Sequence, residues 1–304
     1  MKLGVFFPTK EHGTIDEMIS RFQTVAGMGF DSLWMPQSSG FDPLTAIAVA
    51  AREVPDVSFG TSVVPTYPRH PVALAAEALT ANAAAGGRLV LGVGLSHKMA
   101  IEGAYGISYD QPARHMREYL DALMPLLHER AVNVEGETIT ARSQITIPGA
   151  EAPPVLLAAL QLRMLALAGG VADGTVTWCT GPITLEEQIV PLVTAAAAAA
   201  GRPAPRVVVP LPTIVTDDEA YGRAQADEQL AGYGRIPVYR AVLDREGVEG
   251  PGDVSIVGDE ASVTAQLAHL ASIGATDFVA IPSGNDDDRA RTLEHLATVG
   301  AAVS

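Results

Sequence analysis

The sequence predicts an α/β fold, a (β/α)8 TIM barrel with an insertion after strand four. Three observations predict it. Short apolar runs alternate with longer stretches of helical periodicity along the whole chain. The alternation repeats through eight βα units, the number that closes a parallel sheet with right-handed crossovers into a barrel. The length, 304 residues, suits one barrel of roughly 250 residues with insertions. Residues 1–304 are accordingly expected to form a single domain, without a linker or low-complexity tail.

The elements follow in order. Leu3–Pro8 is an apolar run that reads as strand one. Thr14–Met28 places Ile15, Met18, Ile19, Phe22, Val25 and Ala26 at helical spacing, and Gly29 stops it. Ser32–Met35 is strand two, and Asp42 with Pro43 caps a helix running to about Arg52. Val57–Val64 is strand three, Pro71–Ala85 a helix and Arg88–Gly94 strand four. The stretch from Leu95 to about Glu151 is too long for one crossover. It reads as a loop, a helix from Pro112 to about Glu129, and a polar hairpin over Val132–Ile147. Pro154–Ala159, Gly174–Trp178, Arg206–Val215 and Phe278–Ile281 are strands five to eight. The helices among and after them are Arg163–Ala168, Leu185–Ala200, Asp217–Leu230, Ala261–Ser272 and Asp287–Val299.

Composition narrows the function. Apolar residues make up 48% and charged residues 18%, enough to build a large core. Lys and Arg number 20 against 35 Asp and Glu, a net charge of −15 that repels nucleic acid and anionic membranes. The single cysteine, Cys179, excludes an intrachain disulfide and fits a reducing compartment. No apolar run is long enough to span a bilayer, so the expectation is a cytoplasmic protein acting on a small molecule.

Barrel chemistry sits at the C-terminal ends of strands. Strand one ends at Phe7-Pro8-Thr9-Lys10, without a carboxylate. Strand two ends near Gln37, a donor for a ring carbonyl or a polar loop residue. The loop after strand three holds three prolines and delivers Arg69 and His70 to a helix start, which is either an anion site or a rigid turn. Strand four runs into Gly92-Val93-Gly94-Leu95-Ser96-His97. The third glycine of a dinucleotide fingerprint is absent, with His97 in its place. The glycines would instead admit a flat ligand. His97 is the titratable group at a strand end suited to acid or base work, or else it only hydrogen-bonds a loop. Lys98, Arg114 and Arg117 join Arg69 as a basic patch or a solvated helix start. Ala158-Ala159-Leu160-Gln161-Leu162-Arg163 leads from strand five into a helix N-terminus, a place for a phosphate. Trp178 is pocket wall or core, and Cys179 lacks an activating neighbour. No metal-ligand spacing, P-loop or nucleophile elbow is present.

Taken together, Gly60-Thr61-Ser62-Val63, Pro68-Arg69-His70-Pro71 and Gly86-Gly87-Arg88-Leu89-Val90-Leu91-Gly92-Val93-Gly94 resemble the signature of the luciferase-like flavin and deazaflavin oxidoreductases. Ala158-Ala159, Met164-Leu165, Ala172-Asp173-Gly174, Ile256-Val257-Gly258-Asp259 and Gly274-Ala275-Thr276-Asp277-Phe278 extend the resemblance over nearly the whole chain. The pattern is similar to actinobacterial F420-dependent enzymes related to methylenetetrahydromethanopterin reductase and F420-dependent glucose-6-phosphate dehydrogenase. The resemblance implies coenzyme F420, with FMN as the alternative. It also implies a non-prolyl cis peptide at Ser62–Val63 behind the ring and a phosphate near Ala159, Leu160, Leu162 and Arg163. From their strand-end positions Gln37, Arg69, Gly94, Leu95 and Ser96 join the candidate cofactor-binding set, with His97 as the candidate catalytic group. The reaction implied is hydride transfer to or from a small organic substrate.

Two departures bear on the substrate. The sugar-phosphate dehydrogenases carry an Asp-His pair after strand two and a Glu after strand four, where this chain has Gln37-Ser38 and His97. The reductases carry a carboxylate at strand one that is missing here. An FMN-dependent monooxygenase or reductase, and a non-catalytic cofactor-binding member, remain as alternatives. A barrel isomerase or aldolase would need a Lys or carboxylate at a strand end, and none stands out. Dimers are common in the resembling family, which leaves a homodimer as an expectation.

Overall fold

The structure, a computed structural model, describes residues 1–8 and 13–300. Thr9 and Lys10 of the strand-one end lie outside the described residues. Eight parallel strands close into a barrel: β1 (Lys2–Phe6), β2 (Ser32–Met35), β3 (Ser58–Thr61), β5 (Leu89–Gly94), β8 (Val155–Ala158), β9 (Gly174–Val176), β10 (Arg206–Val215) and β12 (Asp277–Pro282). β12 returns to β1 with Lys2 opposite Asp277, which completes the ring. The predicted eight strands and their order are therefore the observed ones.

Strand three is the point of difference. The expected Val57–Val64 run is broken, and pairing resumes in a short β4 (Val64–Pro65) against β5. Between the two pieces the Ser62–Val63 peptide is cis, at the bond the resemblance implies. The Thr61 hydroxyl spans the gap, accepting from Gly92 N and donating to Gly92 O, both at 2.8 Å.

The helices form because each start is marked in the sequence. Thr14 and Glu17 make a capping box at α1 (Ile15–Gly27), and Asp42 accepts from Thr45 N at 2.9 Å to start α2 (Pro43–Ala50). His70 caps α3 (Pro71–Ala84). The insertion after β5 contains α4 (Lys98–Tyr105), α5 (Pro112–His128) and an antiparallel hairpin of β6 (Ala131–Glu135) and β7 (Thr140–Gln144). α4 lies in what reads as loop: it buries only Ile101 and so has little periodicity to detect. Glu118 of α5 clamps the hairpin turn. Partial burial opposes its ionisation. The Thr138 hydroxyl and the backbone N–H groups of Thr138, Ile139 and Glu137 outweigh this and bring the carboxyl down to about 2.

α6 (Leu162–Gly170) follows β8. After β9 come a short α7 (Pro182–Thr184), a π-helical turn at Leu185–Ile189 and α8 (Val190–Ala199). Pro191 lacks an N–H for the preceding turn, which accounts for the widened coil in the expected Leu185–Ala200 helix. A second insertion follows β10. It holds α9 (Glu219–Leu230), a 3₁₀ turn at Tyr233–Arg235, α10 (Pro237–Glu246), β11 (Ile256–Gly258) on the outer end of β10, and α11 (Glu260–Ser272). α12 (Asp286–Val299) ends the described chain. The 3₁₀ turn, α10 and β11 are not among the predicted elements.

The barrel has two cores. One lies between the strands and the helical ring. The other fills the barrel with Phe6, Trp34, Val90, Leu156, Val176, Val208, Val279 and Ile281, with Val63, Ala158 and Trp178 packed on it. Trp34 occupies its place because Gly60 has no side chain: a Cβ there would sit 2.2 Å from the indole. Its Nε1 donates to Ser32 Oγ at 2.8 Å. No helix among the described residues is long and apolar enough to cross a membrane.

Candidate functional site

The C-terminal ends of the strands bring together Phe6, Gln37, Ser62, Val63, Gly94–His97, Ala158–Leu160 and Trp178. Gln37 N donates to Val63 O at 3.3 Å, tying strand ends two and three, and Ser62 N donates to Met35 O at 2.8 Å. The Gln37 side-chain Oε1 is buried without a hydrogen-bond partner, as is Trp178 Nε1.

His97 caps α4 without a side-chain cap bond. Its ring instead meets Tyr239 edge-on at 5.6 Å and Tyr233 at 6.1 Å. Trp178 touches Phe6 at 5.6 Å and Tyr233 at 5.5 Å, and the two tyrosines lie 5.3 Å apart. The result is a continuous aromatic cluster over the barrel mouth. Burial lowers the pKa of His97, so the imidazole is neutral at pH 7. Burial also raises the phenols of Tyr233 and Tyr239, and pushes the Cys179 thiol up to about 12, which keeps it protonated and unreactive.

Tyr233 and Tyr239 belong to the second insertion and were missed by sequence reasoning. One signal was available: Ile236-Pro237 is a helix start with Pro at the first position. Glu246 at the end of α10 docks that insertion on the barrel, accepting from Thr184 N at 2.6 Å and Ile183 N at 3.1 Å.

Behind the first insertion, Tyr67 stacks on His115 at 3.9 Å and on Tyr109 at 5.0 Å, and Tyr109 donates to Ser96 O at 3.1 Å. The Tyr67 hydroxyl is also buried and unpartnered, and burial pushes it up to about 12. Ser96, which accepts from Tyr109, is in a left-handed conformation, φ 59°.

The basic residues and the strand-four glycines both have close neighbours within the chain. Most of the basic patch is neutralised within the chain: Arg69 pairs with Asp42 and with Glu77 (2.8 Å), Lys98 with Glu102 (3.7 Å) and Arg114 with Glu137. The strand-four glycines are required by the fold itself. A Cβ on Gly92 would lie 2.0 Å from Thr61 O, and one on Gly94 would lie 2.7 Å from Val63 Cγ2 and 3.0 Å from Ala158 Cβ. His70 is likewise occupied, accepting from Val72 N and meeting Thr140 O at 3.0 Å.

The α6 start keeps the features expected of an anion seat. Gln161 caps it without a side-chain bond, and Leu162 and Arg163 are exposed. Leu160 is held by Gln188 Nε2, which donates to its carbonyl at 2.8 Å. No cluster of metal-ligating side chains occurs among the described residues.

The luciferase-like monooxygenase family model matches residues 1–277, and the chain belongs to that family. It is 26% identical over 272 residues to 5,10-methylenetetrahydromethanopterin reductase of Methanolobus tindarius, covering 88% of this chain and 83% of that one. The fold matches the coenzyme F420-dependent tetrahydromethanopterin reductase of Methanopyrus kandleri with a TM-score of 0.82 and 20% identity, over 99% and 98% of the chains. It also matches the FMN-bound oxygenating constituent of 3,6-diketocamphane monooxygenase from Pseudomonas putida, with a TM-score of 0.77 and 18% identity, over 100% and 99%. These neighbours are oxidoreductases and monooxygenases, and they use F420 or FMN.

Proposed function

We propose that the chain is a cytoplasmic F420-dependent oxidoreductase that transfers a hydride between the deazaflavin ring and a small organic substrate. The observation that carries the reading is a strand-end site without an ionised side chain among the described residues that form it, and with an orphaned polar atom, Gln37 Oε1. A buried polar atom left unpaired costs about 1–3 kcal/mol, and ligands with polar edges relieve that cost. The residues present fit a deazaflavin. Ser62 and Val63 would back the ring and Gln37 would bond its edge. Leu95 and Ser96 would flank it. The start of α6, with Leu162 and Arg163 exposed and Ala159 and Leu160 buried beneath it, would hold the phosphate. When bound, the cofactor supplies hydride chemistry at one ring carbon. His97, neutral by burial, would take the hydroxyl proton of an alcohol whose carbon gives up the hydride, and would return that proton to the carbonyl oxygen in the reverse direction. A Mycobacterium tuberculosis relative described as a putative coenzyme F420-dependent oxidoreductase, 31% identical over 160 residues and 48% of this chain, supports the deazaflavin.

One observation favours the FMN reading. Arg69, Lys98 and Arg114 are engaged by carboxylates of the chain, which leaves less free positive charge for the acidic tail that distinguishes F420 from FMN. Co-elution through gel filtration separates the readings. Retention of F420 supports the proposal, retention of FMN alone moves the protein to the flavin branch, and retention of neither removes the redox assignment. The elution volume in the same run reports whether the chain is a homodimer.

A further inference from the structure

The aromatic cluster at the barrel mouth carries information about substrate. Phe6, Trp178, Tyr233, Tyr239 and His97 form an unbroken series of ring contacts, each between 5.3 and 5.6 Å. Two elements far apart in sequence build it, the strand ends and the second insertion.

The two tryptophans of the chain, Trp178 in that series and Trp34 inside the barrel, differ. Trp34 has its N–H satisfied by Ser32. Trp178 has a buried N–H with no acceptor. An indole N–H is a donor only, so nothing but an acceptor atom completes it.

No ionised side chain among the described residues joins the series. Lys98 is turned outward beside Glu102, with 67% of its side chain exposed. Arg235, on the 3₁₀ turn, is exposed. The Glu246 carboxylate is directed to backbone N–H groups of α7. Burial holds His97, Cys179 and both tyrosines in their neutral forms at pH 7. A carboxylate or phosphate placed against these rings would lose its hydration without a countercharge from the described residues.

We propose that the mouth takes an uncharged, largely apolar substrate with one acceptor oxygen, that oxygen received by the Trp178 Nε1–H and the apolar body lying against Phe6, Tyr233 and Tyr239. This names the substrate class for the site read above as the oxidoreductase centre. Trp178 is then the residue that orients the substrate, and the rings of the second insertion select against charge.

The test is calorimetric titration of the protein, with and without F420, using cyclohexanone, 4-oxocyclohexanecarboxylate and glucose 6-phosphate. Cyclohexanone is expected to bind at least about tenfold more tightly than either anion. Trp178→Phe is expected to weaken cyclohexanone about tenfold and leave F420 affinity within about twofold. Equal or tighter binding of an anion, or no binding by any of the three, overturns the proposal. So does a Trp178→Phe variant that loses F420 and keeps cyclohexanone, because the N–H then serves the cofactor. The comparison of neutral and charged ligands needs no variant, so it stands if Trp178→Phe fails to fold. It also stands on cofactor-free protein, so failure to bind F420 would refute the cofactor reading without deciding this one.

Discussion

The imidazole of His97 meets the ring of Tyr239 edge-on, with centroids 5.6 Å apart and planes at 72°. One residue follows a barrel strand and the other belongs to an inserted helix, so the insertion packs against the strand-end histidine. Burial disfavours the imidazolium and places the folded pKa below 6.5. A step that needs the neutral ring is then flat from pH 7 upward and falls as pH drops below 6.5. His97→Ala is expected to lower kcat by about 10²–10⁴. A pH profile of kcat/KM checks this; an acid limb centred above 6.5, or a variant with unchanged kcat, contradicts it.

A second histidine acts on stability. His115 is buried against Tyr67, Tyr119 and the Thr66 hydroxyl, 3.0 Å from its Nε2. Desolvation lowers its pKa to about 4, with Glu118 opposing. The unfolded chain therefore binds more protons between pH 4 and 6.5. The stability that the neutral ring contributes is complete above pH 6.5 and is lost as pH falls through that window. Thermal melts from pH 7.5 to 4.5 are expected to show a falling Tm, with a shallower fall in His115→Gln. Parallel curves for the two proteins would refute the assignment.

Glycine at position 92 is required by the backbone of strand three. Gly92→Ala pushes a methyl to 2.0 Å from Thr61 O and is expected to cost about 1–3 kcal/mol. Gly103→Ala is the contrasting change. It lies inside α4 with nothing within 4 Å of an added Cβ, and is expected to stabilise by about 0.5–1 kcal/mol. Denaturant midpoints of the two variants should move in opposite directions.

The barrel was legible because its strands are short apolar runs separated by capped helices, and both signals are local. Asp42 with Pro43 and Thr14 with Glu17 mark helix starts that the structure reproduces. What escaped was non-local. The break at Ser62–Val63 interrupts an apolar run that periodicity reads as continuous, and only the family resemblance pointed to it. Arg69 reads as a free cation because its partner Asp42 lies 27 residues away. Tyr233 and Tyr239 reach the mouth from a turn and a helix more than 50 residues beyond Trp178, so nothing local ties them to it.

The most direct measurement is a fluorescence titration of the purified protein with oxidised F420 and, separately, with FMN. The account predicts saturable F420 binding at micromolar concentration or tighter, with FMN markedly weaker. Preferential FMN binding, or no binding of either, would contradict it.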